Sequence, residues 1–315
     1  MARALEGLRK YQNADRAQRP APMPAVATRG GASLRDYGGS GAPVLFVPSL
    51  INPPTILDLS PERSLLRWLA ERGRRVLLLD WGWPDEERKR LSVAGHVEQI
   101  LLPLLEEIGD LAALVGYCLG GTMAAAAARR GRASALAAIA APWHFSGFPD
   151  QARADLAALW AQWRPAVDQL GLLPMEALQS AFWSLDPART VAKFEAYGGL
   201  EGSEAATFVT LEDWANDGPP LSGAAARELF EDFFAADLPG RGGWMVGGQA
   251  IVPAGLDIPV LNIVSASDRI VPQASAMQSG EKIALAQGHV GMVVGSRARE
   301  SLWEPLAAWL DQAPR

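Results

Sequence analysis

Short, continuous apolar runs alternate with longer helical patterns along this chain, and the alternation constrains its fold more than any other feature. The apolar runs lie at residues 44–47, 76–80, 111–115, 135–141, 260–264 and 283–285. A strand that is buried on both faces reads as an unbroken apolar run, whereas a half-exposed strand alternates. The pattern therefore predicts an α/β fold, with a mostly parallel, doubly wound sheet that is covered by helices on both faces.

The rhythm of strands and helices stops between residues 142 and 257. This stretch holds 15 of the 24 aromatic residues, and its apolar positions follow helical spacing. We therefore expect a helical cap at 142–257, inserted between strands of an α/β core formed by 42–141 and 258–315. Residues 1–41 carry more basic than acidic side chains and are interpreted as an amino-terminal tail, a loose amphipathic turn followed by a Pro/Ala linker. The alternative is a basic tail that contacts an acidic partner.

Charge and composition exclude several classes of function. The chain has 29 basic and 35 acidic residues, a net charge of −6, which argues against a nucleic-acid partner. A single cysteine and three histidines leave no disulfide and no zinc-ligand spacing, so no metal is expected. Because no apolar stretch reaches ~18 residues, the sequence predicts no membrane span. A cytoplasmic protein is the expected result.

The segment with the clearest chemistry is the G-x-C-x-G pattern at residues 116–120, between a predicted strand and a predicted helix. In this context the pattern is typical of a nucleophile elbow, in which the central residue sits on a strained turn. Cys118 is then the nucleophile, and the backbone N–H of Leu119 is a donor of the oxyanion hole. The alternative is an inert buried cysteine that packs as a small hydrophobic residue.

A thiol nucleophile needs a base, and the chain supplies an acid and a histidine in the order typical of such elbows. Asp268 follows the predicted strand at 260–264, and His289 follows the one at 283–285. Both therefore fall at the carboxyl ends of parallel strands, where ligands bind in open α/β sheets. The sequence predicts a Cys118–His289–Asp268 triad. The alternatives are a turn-forming aspartate and a surface-loop histidine.

Four further residues are candidates for the same site. Leu50 lies in the loop after the first apolar run, so its N–H is the expected second oxyanion donor. Tyr117, His144 and Asn52 are expected to bind substrate, since each lies at or just after the end of a predicted strand. The aromatic residues of the cap are compatible with an apolar acyl substrate or with simple core packing.

Several motifs, in order, resemble the polyhydroxyalkanoate synthase family. Residues 116–122 (GYCLGGT) look like the lipase-like box of these enzymes, and 47–52 (VPSLIN) with 56–59 (ILDL) resemble another of their stretches. Further similarities lie at residues 79–82, 211–214, 230–234, 259–263 and 288–289. The similarity covers roughly residues 42–310. The short amino terminus most resembles the class III synthases, whose catalytic subunit works with a second subunit.

The resemblance implies an α/β-hydrolase fold and a synthase mechanism. It makes Cys118 the nucleophile, His289 the base and Asp268 the third member, with Asp268 or His289 activating the hydroxyl for chain growth. It implies transfer of 3-hydroxyacyl groups from coenzyme A thioesters to a growing polyester, with no cofactor. A second synthase subunit or a homodimer, and a polyester granule, are the implied partners. Arg269 departs from the family, which usually has histidine there, and the cap is short.

Two other functions remain open from the sequence. Cysteine elbows also occur in hydrolases, so an intracellular polyester depolymerase, thioesterase or esterase with the same triad is the alternative enzyme. A non-enzymatic protein of storage granules is the third reading, against which the intact set of Cys118, Asp268 and His289 argues. A thiol nucleophile favours acyl transfer, because a thioester attacked by sulfur gives another thioester of similar energy.

Overall fold

The continuous apolar runs form the centre of an eight-stranded sheet in a computed structural model that describes residues 2–17 and 20–313. The strands follow the spatial order β1-β2-β4-β3-β5-β6-β7-β8, and all neighbouring pairs from β4 to β8 are parallel. The mostly parallel sheet that the apolar runs predict is thus confirmed. The strands are β1 (Ala25–Arg29), β2 (Ala32–Asp36), β3 (Ser40–Val47), β4 (Arg74–Asp80), β5 (Ala113–Tyr117), β6 (Leu136–Ile139), β7 (Val260–Ser265) and β8 (Glu281–Leu285).

Helices cover both faces of this sheet because alternate residues of each central strand point to opposite sides. Leu45 and Val47 of β3 pack with one set of helices, whereas Val44 and Phe46 pack with the other. The first set is α3 (Val93–His96), a π-helical segment (Val97–Leu101), α4 (Leu102–Ile108) and α5 (Leu119–Ala128). The second set is α2 (Leu65–Ala70), α11 (Gly291–Val294), a π-helical segment (Arg299–Trp303) and α12 (Glu304–Gln312).

The chain between β6 and β7 is largely helical. Its aromatic side chains pack on one another: Trp160 stacks on Phe230 with ring centroids 5.3 Å apart, and Phe145 contacts Phe233 and Phe234 at 5.1 and 5.0 Å. Many of these rings therefore serve as packing. The helices of this region, called the cap below, are α6 (Asp150–Leu170), α7 (Met175–Ser184), α8 (Pro187–Tyr197), α9 (Gly202–Ala215) and α10 (Gly223–Arg227), followed by a π-helical segment (Glu228–Ala235).

The amino-terminal segment is not the tail that the sequence indicates. Strands β1 and β2 form an antiparallel hairpin, and β2 pairs with β4, so residues 25–36 belong to the main sheet. The assignment of residues 1–41 to a tail is therefore wrong for this part. The hairpin escapes detection because it lies at the sheet edge: β1 has no buried residue, and only Ala32 and Leu34 of β2 are buried. Residues 1, 18 and 19 of the assigned tail, and 314 and 315 of the core segment, lie outside the described residues.

A helix precedes the hairpin and packs against the cap. Helix α1 (Ala2–Gln12) lies on α8 so closely that a Cβ added at Gly7 would be 1.8 Å from the carbonyl oxygen of Phe194. Lys10 Nζ donates hydrogen bonds to the carbonyl oxygens of Tyr197 and Gly198 at 3.4 and 3.3 Å. The hydroxyl of Tyr11 donates to Asp213 of α9 at 2.6 Å. The start of the chain is thus attached to the cap.

Candidate active site

Cys118 lies at a sharp turn between β5 and α5. Its backbone has φ 55° and ψ −134°, a conformation that residues other than glycine rarely adopt. The Cys118 N–H donates to the carbonyl of Ile139 on the neighbouring strand at 2.9 Å, and the Cys118 carbonyl accepts from Gly121 N–H at 2.8 Å. These bonds hold the strained residue between strand and helix, which is the geometry of a nucleophile elbow.

The glycines around Cys118 allow backbone segments to approach closely. A Cβ added at Gly116 would be 2.3 Å from the Cα of Gly121, and one at Gly120 would be 2.1 Å from the carbonyl oxygen of Val47. Real Cβ atoms do not approach other atoms this closely. The turn therefore needs glycine at these positions, and the loop after β3 packs directly on the first turn of α5.

His289 and Asp268 come together at the carboxyl ends of β8 and β7. The ring Nδ1 of His289 lies 2.7 Å from Oδ2 of Asp268, and both side chains are buried. The other oxygen of Asp268 accepts backbone N–H bonds from Ile270 and Val271 at 2.8 and 2.9 Å. Asp268 is thus held by its own loop and orients the ring. Since Nδ1 bonds to Asp268, Nε2 is the ring nitrogen left for Cys118.

The charges of these groups favour a protonated histidine. Burial lowers the pKa of His289 and is the largest single influence on it. The negative charge of a Cys118 thiolate and the hydrogen bond to Asp268 outweigh burial and raise that pKa to about 10. An imidazolium beside a thiolate is an activated form of a cysteine nucleophile, because sulfur attacks without first losing a proton.

The two N–H groups expected to bind an oxyanion belong to Leu119 and Leu50. Leu119 is the first residue of α5, so its N–H is one of the donors that a helix leaves free at its start. In the facing loop, Trp81 Nε1 donates to the carbonyl of Pro48 at 2.9 Å, and the hydroxyl of Ser49 accepts from Ile51 N–H at 3.0 Å. Between them the Leu50 N–H has no protein acceptor among the residues that the structure describes. The role of both N–H groups as oxyanion donors stays a prediction.

Tyr117, whose expected binding of substrate stays a prediction, contacts His289. The two rings are stacked, with centroids 5.0 Å apart and planes 30° apart. The Tyr117 hydroxyl donates to the backbone carbonyl of His289 at 3.2 Å. Burial, and then the negative charges of Cys118 and Asp268, raise the pKa of Tyr117 well above its ordinary value, so the hydroxyl stays a donor.

Asn52 and His144 make contacts within the protein, and their role in substrate binding stays a prediction. The Asn52 amide nitrogen donates to the carbonyls of Trp214, Ala215 and Asp217 at 3.4, 3.2 and 3.2 Å, so it attaches the loop after β3 to the end of α9. His144 donates its backbone N–H to the carbonyl of Ser275 at 2.8 Å. Its half-buried ring makes no hydrogen bond to the triad within the described residues.

Arg269 has a role near the site that the sequence does not reveal. Its guanidinium forms an ion pair with Asp186, whose other carboxylate oxygen accepts the backbone N–H of Arg189 at the start of α8. The loop that carries Asp268 is thereby joined to the cap. The only sequence signal is the departure of Arg269 from the histidine usual in the family it resembles.

Residues 2–17 and 20–313 contain neither a metal-binding cluster nor a membrane-spanning helix. In this part of the chain, no group of three or more His, Cys, Asp and Glu side chains could hold a metal ion. No helix in the same residues combines the length and the apolar character needed to cross a bilayer.

Comparison with known proteins identifies the class first. A family model described as the alpha/beta hydrolase fold matches residues 42–290, more than half of the chain, so the chain belongs to that family. An esterase from Thermogutta terrifontis superposes with a TM-score of 0.58 at 19% identity, covering 94% of this chain and 99% of the esterase. A monoacylglycerol lipase from Paleococcus ferrophilus gives 0.54 at 16% identity, over 89% and 98% of the two chains. At these identities the likeness shows the fold alone.

More specific relatives are polymerases. The poly(3-hydroxyalkanoate) polymerase subunit PhaC of Allochromatium vinosum is 29% identical over 291 residues, covering 86% of this chain and 81% of the relative. PhaC of Haloferax mediterranei is 28% identical over 296 residues, and there the match covers 86% of this chain but only 58% of the relative. These relatives confirm the resemblance to polyhydroxyalkanoate synthases that the sequence motifs indicate.

Proposed function

We propose that this protein is an acyltransferase that moves 3-hydroxyacyl groups from coenzyme A thioesters to a growing polyester through an acyl-enzyme on Cys118. The observation that carries the proposal is the hydrogen-bonded His289–Asp268 pair behind a nucleophile elbow whose nucleophile is sulfur. Similarity to PhaC polymerase subunits over 86% of this chain supports the substrate class.

In the first half of the proposed reaction, the Cys118 thiolate attacks the thioester carbonyl. The oxygen that becomes negative accepts hydrogen bonds from the N–H groups of Leu119 and Leu50. The bond between the acyl carbon and the coenzyme A sulfur then breaks, and protonated His289 gives its proton to the departing sulfur. The acyl group remains on Cys118 as a thioester, and His289 is neutral.

In the second half, a hydroxyl group at the end of the polyester attacks the acyl carbon. Neutral His289 accepts the hydroxyl proton as the new ester bond forms, and the bond to Cys118 Sγ breaks. The thiolate and the imidazolium are regenerated. Sulfur suits these two steps because the acyl thioester on Cys118 has nearly the same energy as the coenzyme A thioester. That energy remains available for transfer of the acyl group.

Water in place of the hydroxyl would turn the same steps into hydrolysis. Cys118 is only partly exposed and His289 is buried, which favours a site that limits the access of water. The relatives named as polymerases favour transfer over hydrolysis, and the esterase neighbours share the fold alone. We place the enzyme in the cytoplasm at the surface of a polyester granule, working with a second synthase subunit or as a homodimer.

The test is incubation with 3-hydroxybutyryl-coenzyme A, following released thiol and the product together. Insoluble polyester supports the synthase, whereas free 3-hydroxy acid supports the hydrolase. Because Cys118 is the only cysteine of the chain, a thioester-linked acyl adduct found by mass spectrometry identifies the nucleophile directly. The matched control is Cys118→Ala, which should form no adduct; thiol release undiminished in this variant would refute the assignment of the site.

A further inference from the structure

We propose that Tyr117 is a positioning residue for His289: its ring fixes the plane of the imidazole, and its hydroxyl fixes the loop that carries it. The proposal rests on the proposed function in one respect, that His289 acts together with Cys118. Tyr117 itself touches neither the acyl group nor coenzyme A in the proposed reaction.

Two contacts carry this inference. The Tyr117 ring stacks on the His289 ring, with centroids 5.0 Å apart and planes 30° apart. The Tyr117 hydroxyl donates to the main-chain oxygen of His289 at 3.2 Å. One side chain thus contacts both the ring and the backbone of the same residue, although the two lie 172 positions apart in the chain.

Hydrogen bonds hold both ends of the His289 loop, from Ser267 to the carbonyl of Ala286 and from Met292 N–H to the carbonyl of Gly288, but they leave the ring itself to be positioned by side-chain contacts. Gly288 and Gly291 flank the histidine, and a Cβ added at either would meet nothing closer than 3.8 Å. The hydrogen bonds to Asp268 and Cys118 hold the two nitrogen atoms of the ring but leave its plane free to rotate about the line between them. A stacked aromatic ring removes this freedom, since it fixes the plane of the imidazole.

The position of Tyr117 in the chain makes the support rigid. Tyr117 is the last residue of β5, a strand that is buried along its whole length, and it directly precedes Cys118. The same strand end therefore carries the nucleophile and the support of its base. A substrate-binding side chain would need access to substrate, whereas Tyr117 is only 4% exposed.

The test compares Tyr117→Leu, which removes the stacked ring, with Tyr117→Phe, which removes only the hydroxyl. The readouts are the His289 pKa by NMR and the rate of Cys118 alkylation by iodoacetamide at neutral pH. We expect the Leu variant to lower the His289 pKa and to slow Cys118 alkylation on the order of tenfold. The Phe variant should lower the His289 pKa less and slow alkylation about twofold to threefold. In thiol release from 3-hydroxybutyryl-coenzyme A, kcat should fall while KM stays the same.

The matched control is Tyr197→Leu, which removes a buried tyrosine that stacks on Phe208 in the cap. It should leave the His289 pKa and alkylation unchanged. A folded Tyr117→Leu variant with an unchanged His289 pKa overturns the proposal, as does a raised KM with unchanged alkylation, which would mean substrate binding. If the Leu variant does not fold, the Phe variant decides: slower alkylation supports the proposal and an unchanged rate overturns it. Alkylation needs no acyl substrate. If the protein forms no polyester but Tyr117→Leu still slows alkylation, the synthase assignment fails and the positioning role of Tyr117 stands.

Discussion

The elbow around Cys118 and the helical cap are held in position by different kinds of interaction. At the elbow, backbone segments touch one another where glycine leaves room, and the restraint comes from close packing. The cap is joined to the rest of the molecule by polar side chains from separate segments. Asn52 donates to the end of α9, Arg269 pairs with Asp186 at the start of α8, and residues of α1 bond to α9 and to the end of α8. Substitutions should therefore abolish activity at the elbow but have graded effects at the cap.

The largest expected effect is that of Gly120→Ala. The added Cβ would lie 2.1 Å from the carbonyl oxygen of Val47 and 2.5 Å from that of Pro48, so α5 must shift away from the loop after β3. Misplacement of reacting groups by ~1 Å costs on the order of 100-fold in rate, and we expect at least that loss in acyl-enzyme formation. Gly255→Ala is the control, because nothing lies within 4 Å of its added Cβ. Equal activity of the two variants would contradict the packing argument.

The second effect concerns the influence of Cys118 on the pKa of His289. Because the pKa of His289 is raised from 6.5 to about 10 in the folded chain, proton binding by His289 stabilises the fold. That contribution is fully present below the ordinary pKa and is lost as the pH rises through about 10. In Cys118→Ala the influence of Cys118 disappears while burial remains, so the His289 pKa should fall.

The measurements are the NMR titration of the His289 ring and the free energy of unfolding across this pH window. The stability that is lost between the two pKa values should be smaller in Cys118→Ala than in the unchanged chain. Cys118→Ser serves as a second variant of nearly unchanged size, and it should behave like the alanine variant because its hydroxyl is uncharged. Identical titrations of His289 in all three chains would show that Cys118 does not raise the His289 pKa.

At the cap, the larger effect is expected from Asn52→Ala. The change removes an amide that donates to three carbonyls, and it places alanine at φ 64°, a conformation that asparagine tolerates better. We expect the free energy of unfolding to fall by about 1–3 kcal/mol and limited proteolysis to cut the cap faster. Asn52→Gly separates the two causes, since glycine accepts this φ but lacks the amide. Unchanged proteolysis in both variants would mean that Asn52 does not hold the cap.

The smallest effect is expected from Arg269→Ala. The ion pair with Asp186 is partly open to solvent, with side-chain exposures of 63% and 24%, and such pairs contribute ~0.2–1 kcal/mol. Proteolysis of the cap should accelerate slightly at low salt and not at high salt. Asp186→Asn keeps an oxygen that can accept the Arg189 N–H but removes the charge, so it should accelerate proteolysis as slightly as Arg269→Ala does. A large loss of stability from Arg269→Ala alone would show that the cap depends on this one contact.

What the sequence predicts well is local or periodic. The buried strands of the sheet are recognisable as apolar runs. The elbow is recognisable from a few neighbouring residues between a strand and a helix. Edge strands carry no such signal, which is why the β1–β2 hairpin is read as part of a tail. The partners of Tyr117 and Asn52 lie more than 160 positions away, and no periodicity connects residues so distant.

The attachment of α1 to the cap has a consequence for how the chain is made. Lys10 and its carbonyl acceptors are 187 and 188 positions apart, so α1 leaves the ribosome long before its partners exist. At synthesis rates of ~5–20 residues per second, that interval is roughly 10–40 s. The surface around Gly7 stays uncovered during this time. Helix α1 thus docks only after α8 and α9 have been synthesised, although most of the strands on its own side of the cap are already made by then.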